Sequence, residues 1–187
     1  MNKSFLQGPP EEQVICVSCG FCCDGTLFLH AHLDPGERSV GGLPEWIEEH
    51  SVCKDGKEYF PLPCRYFCKK CTIYHNKRAN VCSSFRCQLL KDFAERKLTL
   101  DNALEVVREA SRMKAELSEQ YRIISGKSGS PVFRQMLLEL ADLQQSASFG
   151  SVNSLHYDIF VARCNIFEAL LTKHIRSSED FAKMIMR

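Results

Sequence analysis

Cys16-Val17-Ser18-Cys19-Gly20-Phe21-Cys22-Cys23 sets four thiols within eight residues, and the spacing C-x2-C-x2-C-C lets all four face one point. A C-x2-C turn presents two sulfurs about 3.5–4 Å apart, the edge of a tetrahedral zinc site or of an iron–sulfur cube. Gly20, between the second and third thiols, can take the positive φ that such a chain reversal needs. Neighbours such as Cys22 and Cys23 bridge poorly as a disulfide, because the geometry of the S–S bond strains between adjacent residues. Metal ligation is therefore the expectation for this stretch.

Around it, the chain reads as a globular protein. At 187 residues it suits one domain or a compact domain with an appendage, and 44% hydrophobic with 25% charged residues is the balance of a folded, water-exposed chain. The first dozen residues have no apolar core long enough for a signal peptide, and no run of about 18 uncharged apolar residues predicts a membrane span. Eleven cysteines without an export signal point to a reducing, cytoplasmic setting, where clustered thiols read as ligands or catalysts.

The formal charge of +1 conceals a gradient. Residues 1–63 carry ten acids and four bases, whereas residues 64–97 carry nine bases and two acids. Such a basic stretch can touch nucleic acid. Here the bases lie among the cysteines, so the preferred reading is that they offset the acidic first segment and the negative charge of metal-bound thiolates. Nucleic acid and membrane are not expected as partners; a protein partner or substrate is left open.

The chain in order predicts a flexible lead over residues 1–13, with Gly8-Pro9-Pro10 excluding regular structure. A short apolar strand is expected within Thr26–Leu33, ended by Asp34-Pro35-Gly36, with loop over 34–44. Pro44 to His50 predicts one or two helical turns, and Trp46 a hydrophobic lid over the cysteine region. From Cys53 to Cys87 regular structure should be sparse, with metal bonds replacing part of a core. Beyond Cys87 the periodicity turns helical. Leu89, Leu90, Phe93, Ala94 and Leu98 form one helix. Thr99 should cap a second, with Leu104, Val107, Ala110, Met113, Leu117, Tyr121 and Ile124 on one face. Gly126 to Gly129 should break it, and Ser130-Pro131 should start the next, faced by Phe133, Leu137, Leu140 and Ala141. A loop is expected over Ser146–Ser151, then a third helix over Val152–His174 that should be the most buried. Ser177 and Asp180 suggest a last capped helix.

The strongest constellation joins Cys16, Cys19, Cys22 and Cys23 to Cys64, Cys71, Cys82 and Cys87. Eight thiolates can hold two four-coordinate metals, two iron–sulfur clusters, or one site with thiols left for redox work. At these residues the chain resembles the CxxCxxCC family of zinc- or iron-chelating proteins, the YkgJ-like cysteine-cluster domains. The resemblance rests on Cys16–Cys23 with Gly20, on Cys64, on Cys71-Thr72-Ile73-Tyr74, and on Cys82 and Cys87. It covers roughly residues 16–87. The pattern departs at Arg78-Ala79, where the family carries Arg-Pro, and at Arg86, which precedes the last cysteine. The resemblance implies a metal centre held by these eight thiols. One branch of the family, the flagellin lysine methylases, joins the domain to protein methylation.

Other chemistries compete. Cys64-x3-Cys68-x2-Cys71 has the spacing by which radical S-adenosylmethionine enzymes hold a 4Fe–4S cluster, though such enzymes need a barrel of alternating strands and helices around that loop. A thioredoxin-type CxxC wants a strand before and a helix after, and the extra thiols spoil the fit. His30, His32 and His75 are secondary candidates to replace a cysteine. Cys53 lies outside the pattern, and Cys164 reads as a buried small hydrophobe. The combined expectation is a mainly α protein with a flexible lead (1–15), a loop-rich, metal-stabilised cysteine-cluster module (16–97) and a packed C-terminal helical bundle (98–187). Its cofactor is an iron–sulfur cluster, placed ahead of zinc because adjacent cysteines are unusual for tetrahedral zinc. A redox or protein-modifying role and a structural-zinc interaction module are the competing functions, and enzymatic activity is left open.

Overall fold

The computed structural model describes residues 10–129, 131–145 and 154–176. The protein is mainly helical with a small three-stranded sheet. It divides into two units, Met1–Arg86 and Cys87–Arg187.

In the first unit, helix α1 (Pro10–Cys19) starts on a proline. Proline fixes φ near the helical value and lacks only an N–H that the first turn leaves unpaired anyway. Glu11 and Glu12 in that turn complement the positive helix end. The expected lead is corrected accordingly: residues 10–13 are helical, and residues 1–9 lie outside the described ones. Strand β1 (His30–His32) is shorter than the apolar stretch suggested. The expected loop over 34–44 contains helix α2 (Glu37–Val40), and α3 (Glu45–His50) follows Pro44 as anticipated.

Strands β2 (Val52–Lys54) and β3 (Lys57–Pro61) form a hairpin, and β3 also pairs antiparallel with β1, giving the order β1-β3-β2. Asp55 and Gly56 turn the hairpin with φ of 53° and 73°. Positive φ at both central residues is what a two-residue turn of the type I′ class requires, and Asp-Gly supplies it. Sparse regular structure between Cys53 and Cys87 was therefore the wrong expectation. Two further two-residue strands, β4 (Phe67–Cys68) and β5 (Lys70–Cys71), pair around Lys69, and α4 (Asn80–Ser84) follows. The core of the unit joins Leu33, Leu43, Ile47, Phe60, Leu62 and Ala79, with Ala31, Trp46, Cys64 and Tyr66 packed against it. Trp46 stacks on His50 and meets Tyr66 edge-on, and its backbone N–H donates to the Tyr66 hydroxyl.

The second unit holds α5 (Gln88–Ala94), α6 (Leu100–Ser125), α7 (Phe133–Gln145) and α8 (Ser154–His174). Thr99 caps α6 by accepting from the Asn102 amide at 3.2 Å, and Gly126 closes it with φ of 66°. Val107, Ala110, Leu117 and Tyr121 face inward as their spacing requires. Helix α7 begins at Phe133, two residues later than Pro131 suggested, and its buried face includes Met136. Helix α8 is buried along one side and not over the whole of its apolar circumference. Tyr157, Phe160, Cys164, Phe167 and Leu171 form one buried stripe, while Ile159 and Ile166 are 50% and 59% exposed. The Phe133 and Phe167 rings meet edge-on at 4.8 Å, and Arg163 reaches Glu116 of α6 at 2.6 Å. The loop over Ser146–Ser151 and the helix start at Ser177 lie outside the described residues. Among the described residues no helix is long and apolar enough to cross a membrane.

Candidate metal centre

The first motif is built on the end of α1. Cys16 and Cys19, three apart in its last turns, share a helix face instead of an isolated turn. Gly20 then breaks the helix with φ of 66°, its N–H donating to the Cys16 carbonyl at 3.2 Å. The chain folds back over Gly20, whose carbonyl accepts from the Cys23 amide at 2.8 Å and the Asp24 amide at 3.0 Å. The positive φ expected of Gly20 is present, and a second requirement accompanies it. A Cβ at this position would lie 2.3 Å from the Phe67 ring, so the residue also admits β4 against the motif. Gly20→Ala should cost about 1–3 kcal/mol, the range for a side chain forced into a left-handed conformation. Urea unfolding would measure it, and a change below about 0.5 kcal/mol would remove the role given to Gly20.

The later cysteines are tied to the same place by backbone. The Cys64 amide donates to the Cys23 carbonyl at 2.8 Å, directly linking segments forty residues apart in the chain. Cys71 pairs with Phe67 across the β4–β5 hairpin, and Cys82 sits in α4, its amide bonded to the Ala79 carbonyl at 2.9 Å. Ala79 is fully buried in the core.

These positions bring five thiols into electrostatic contact. Burial pushes the Cys23 thiol well above its usual range, and the charges of Cys82, Cys71, Cys16 and Cys64 push it further. Cys82 is exposed as a residue, yet its thiol is pushed up to about 12, first by burial and then by Cys64. Arg78 opposes the shift, and Cys71 adds to it. Cys64 is raised by burial, against the Tyr66 amide that lowers it. Tyr74 is likewise raised by burial and by Cys16, while Arg78, whose guanidinium lies 4.2 Å over the Tyr74 ring, pulls it down.

The sign of the thiol shifts fixes a pH dependence. A thiol whose folded pKa exceeds its unfolded value near 9 stabilises the fold fully below that value, and the contribution is lost as pH rises through the folded pKa. Metal-free protein should therefore lose stability between about pH 9 and about 12. Ultraviolet thiolate titration beside denaturant melts checks this; thiolates from this group appearing below pH 8 would contradict it.

The remaining cysteines are distributed differently. Cys19 and Cys22 are partly buried in the first motif, whereas Cys53 on β2 and Cys68 on β4 are exposed. Cys164 is 1% exposed within α8, as expected of a small hydrophobe, and burial pushes its thiol up to about 12. Cys87 is the N-cap residue of α5 in the second unit. Burial raises its thiol, and the amides of Leu90 and Leu89 lower it. His75 lies edge-on to Tyr74, and His30 and His32 stand on the sheet.

The chemistry of the donor set fits a soft or borderline metal, since several thiols share one locality. As the side chains stand, no three His, Cys, Asp or Glu groups among the described residues are close enough to hold an ion. The arrangement is thus a gathering of thiols, not a closed ligand shell. The basic segment is partly spent within the same unit: Arg86 bonds the buried Glu12 at 2.5 Å and Lys77 donates to the Gly41 carbonyl at 2.9 Å. Sequence reasoning missed the link from α2 to α4, where Glu37 accepts from the Asn80 amide at 2.7 Å and Asp34 from the Asn80 side chain at 2.9 Å. No family model, curated protein or solved structure matches the chain.

Proposed function

We propose that the first unit is a metal-binding module in which Cys16, Cys23, Cys64, Cys71 and Cys82 supply thiolate ligands, with Cys19 and Cys22 extending the donor set. The observation that carries the reading is that four thiols act on Cys23, Cys16 from α1 and Cys64, Cys71 and Cys82 from three later segments. Taking so many thiols into one partly buried locality without a ligand yields little packing energy, whereas metal bonds return folding energy. The module is metal-stabilised on this reading, in a reducing, cytoplasmic setting.

An iron–sulfur cluster is placed ahead of zinc, because five thiols exceed one tetrahedral shell. A bound cluster would supply one-electron redox chemistry, and a zinc ion a structural staple. Arg78 and Arg86 place positive charge in the same unit as the thiolates. The radical-enzyme reading gains no support, since Cys68 is exposed while Cys64 and Cys71 act on Cys23.

Protein purified without oxygen should retain metal. Elemental analysis with electron paramagnetic resonance after reduction separates the alternatives: a paramagnetic signal with iron and sulfide marks a cluster, and a colourless zinc stoichiometry marks the structural module. Metal-free protein that keeps its fold and melting temperature would sink both.

A further inference from the structure

On β1 the side chains alternate between two faces. Ala31, opposite Phe60, packs on the core, so His30 and His32 stand together on the other face. Their ring centroids are 5.2 Å apart. Two imidazoles on one tetrahedral ion, each at a metal–nitrogen distance of about 2.0–2.1 Å, place their ring centres about 5 Å apart. The observed separation is already that of a shared ion. Tyr59, which pairs with His32 in register, lies 5.0 Å from the His30 ring and 6.0 Å from the His32 ring, limiting how far either can swing. The pairing of β1 with β3 fixes the backbone beneath.

We propose that His30 and His32 form a second metal site, distinct from the thiols, which takes a divalent ion of the imidazole-preferring class: Zn²⁺, Ni²⁺ or Cu²⁺. Two protein nitrogens bind and water completes the shell, as suits a half-buried sheet face that water still reaches. Such a two-residue site is compatible with the absence of any closer group of three donors among the described residues. Burial, His30 and Lys57 all lower the His32 pKa, so the ring is a neutral ligand at pH 7. Lys57, which pairs with Lys54 at the hairpin end, also opposes an incoming cation.

The test is a Ni²⁺ titration of the full chain by calorimetry, after the thiols have been loaded with Zn²⁺ and the weakly held ion has been washed out, with the visible spectrum recorded in parallel. One Ni²⁺ should bind without the intense thiolate-to-nickel absorption that sulfur ligation would give. His30→Gln and His32→Gln should each weaken binding about tenfold or more, roughly 1.4 kcal/mol. His75→Gln should change nothing, and Lys57→Ala should tighten binding. Both histidines are only half-buried, and unchanged circular dichroism of the variants would exclude unfolding as the cause. Wild-type protein that takes no Ni²⁺, or a double His30→Gln/His32→Gln variant that binds as well as wild type, would overturn the proposal. Neither result bears on the thiol centre, which is tested through its own cysteines.

Discussion

Cys23→Ser should strip the purified protein of its metal, whereas Cys53→Ser and Cys68→Ser should leave the metal content unchanged. Cys23 is where the gathered thiols meet: four others act on it, and its carbonyl holds the Cys64 amide. Serine keeps that backbone bond and removes only the soft donor, so the loss isolates ligation from folding. A hydroxyl is a poor ligand for a thiophilic metal, and the site left open would exchange its ion with water. Cys53 and Cys68 are exposed on strands, and their replacement costs within about 0.5 kcal/mol, typical of surface sites. Inductively coupled plasma analysis of the three variants decides the matter. Metal retained by Cys23→Ser but lost from Cys68→Ser would transfer the centre to the Cys64, Cys68, Cys71 trio.

Glu168→Ala should destabilise the second unit by roughly 3 kcal/mol, the lower end of the range for breaking a buried ion network. Glu168 on α8 meets Arg134 of α7 at 3.1 Å and Arg176 at 2.6 Å. The Arg176 side chain is 6% exposed and that of Arg134 15%, so both guanidiniums meet this carboxylate largely out of water. Removing it takes a counter-charge from two desolvated cations, which is more costly than the pair itself is worth. The partial exposure of Glu168, at 24%, places the effect at the low end. Denaturant unfolding followed by circular dichroism would measure it. A loss under about 1 kcal/mol would mean that water already screens the network.

The helical unit was legible because its signals are local. Thr99 before Leu100 and Gly126 after Ser125 mark α6 by capping chemistry alone, and the 3.6-residue period of Val107, Ala110, Leu117 and Tyr121 gives its buried face. Which apolar residues of α8 are buried was not legible, because composition does not say which of them find a partner. Ile159 and Ile166 are as hydrophobic as their buried neighbours, and packing against α6 and α7 selects the Tyr157–Leu171 stripe.

The first unit was harder to read. Attention to the cysteines obscured Val52-Cys53-Lys54-Asp55-Gly56-Lys57-Glu58-Tyr59, in which Asp-Gly between alternating residues is a strong hairpin signal. Pro10 was read as a breaker where it serves as the first residue of a helix. The convergence of Cys23 with Cys64 was suggested by motif spacing but is delivered by one backbone hydrogen bond that no local pattern encodes. The closeness of His30 and His32 follows from strand alternation once β1 is known, and the sequence offered only a three-residue hint of it.

X-ray absorption at the metal edge of anaerobically purified protein tests the thiol centre most directly, because it reads the ligand atoms themselves. The account predicts a first shell of sulfur at about 2.3 Å, with added iron scattering if a cluster is bound. A first shell of nitrogen and oxygen at about 2.0–2.2 Å, or protein that holds no metal while remaining folded, would contradict it.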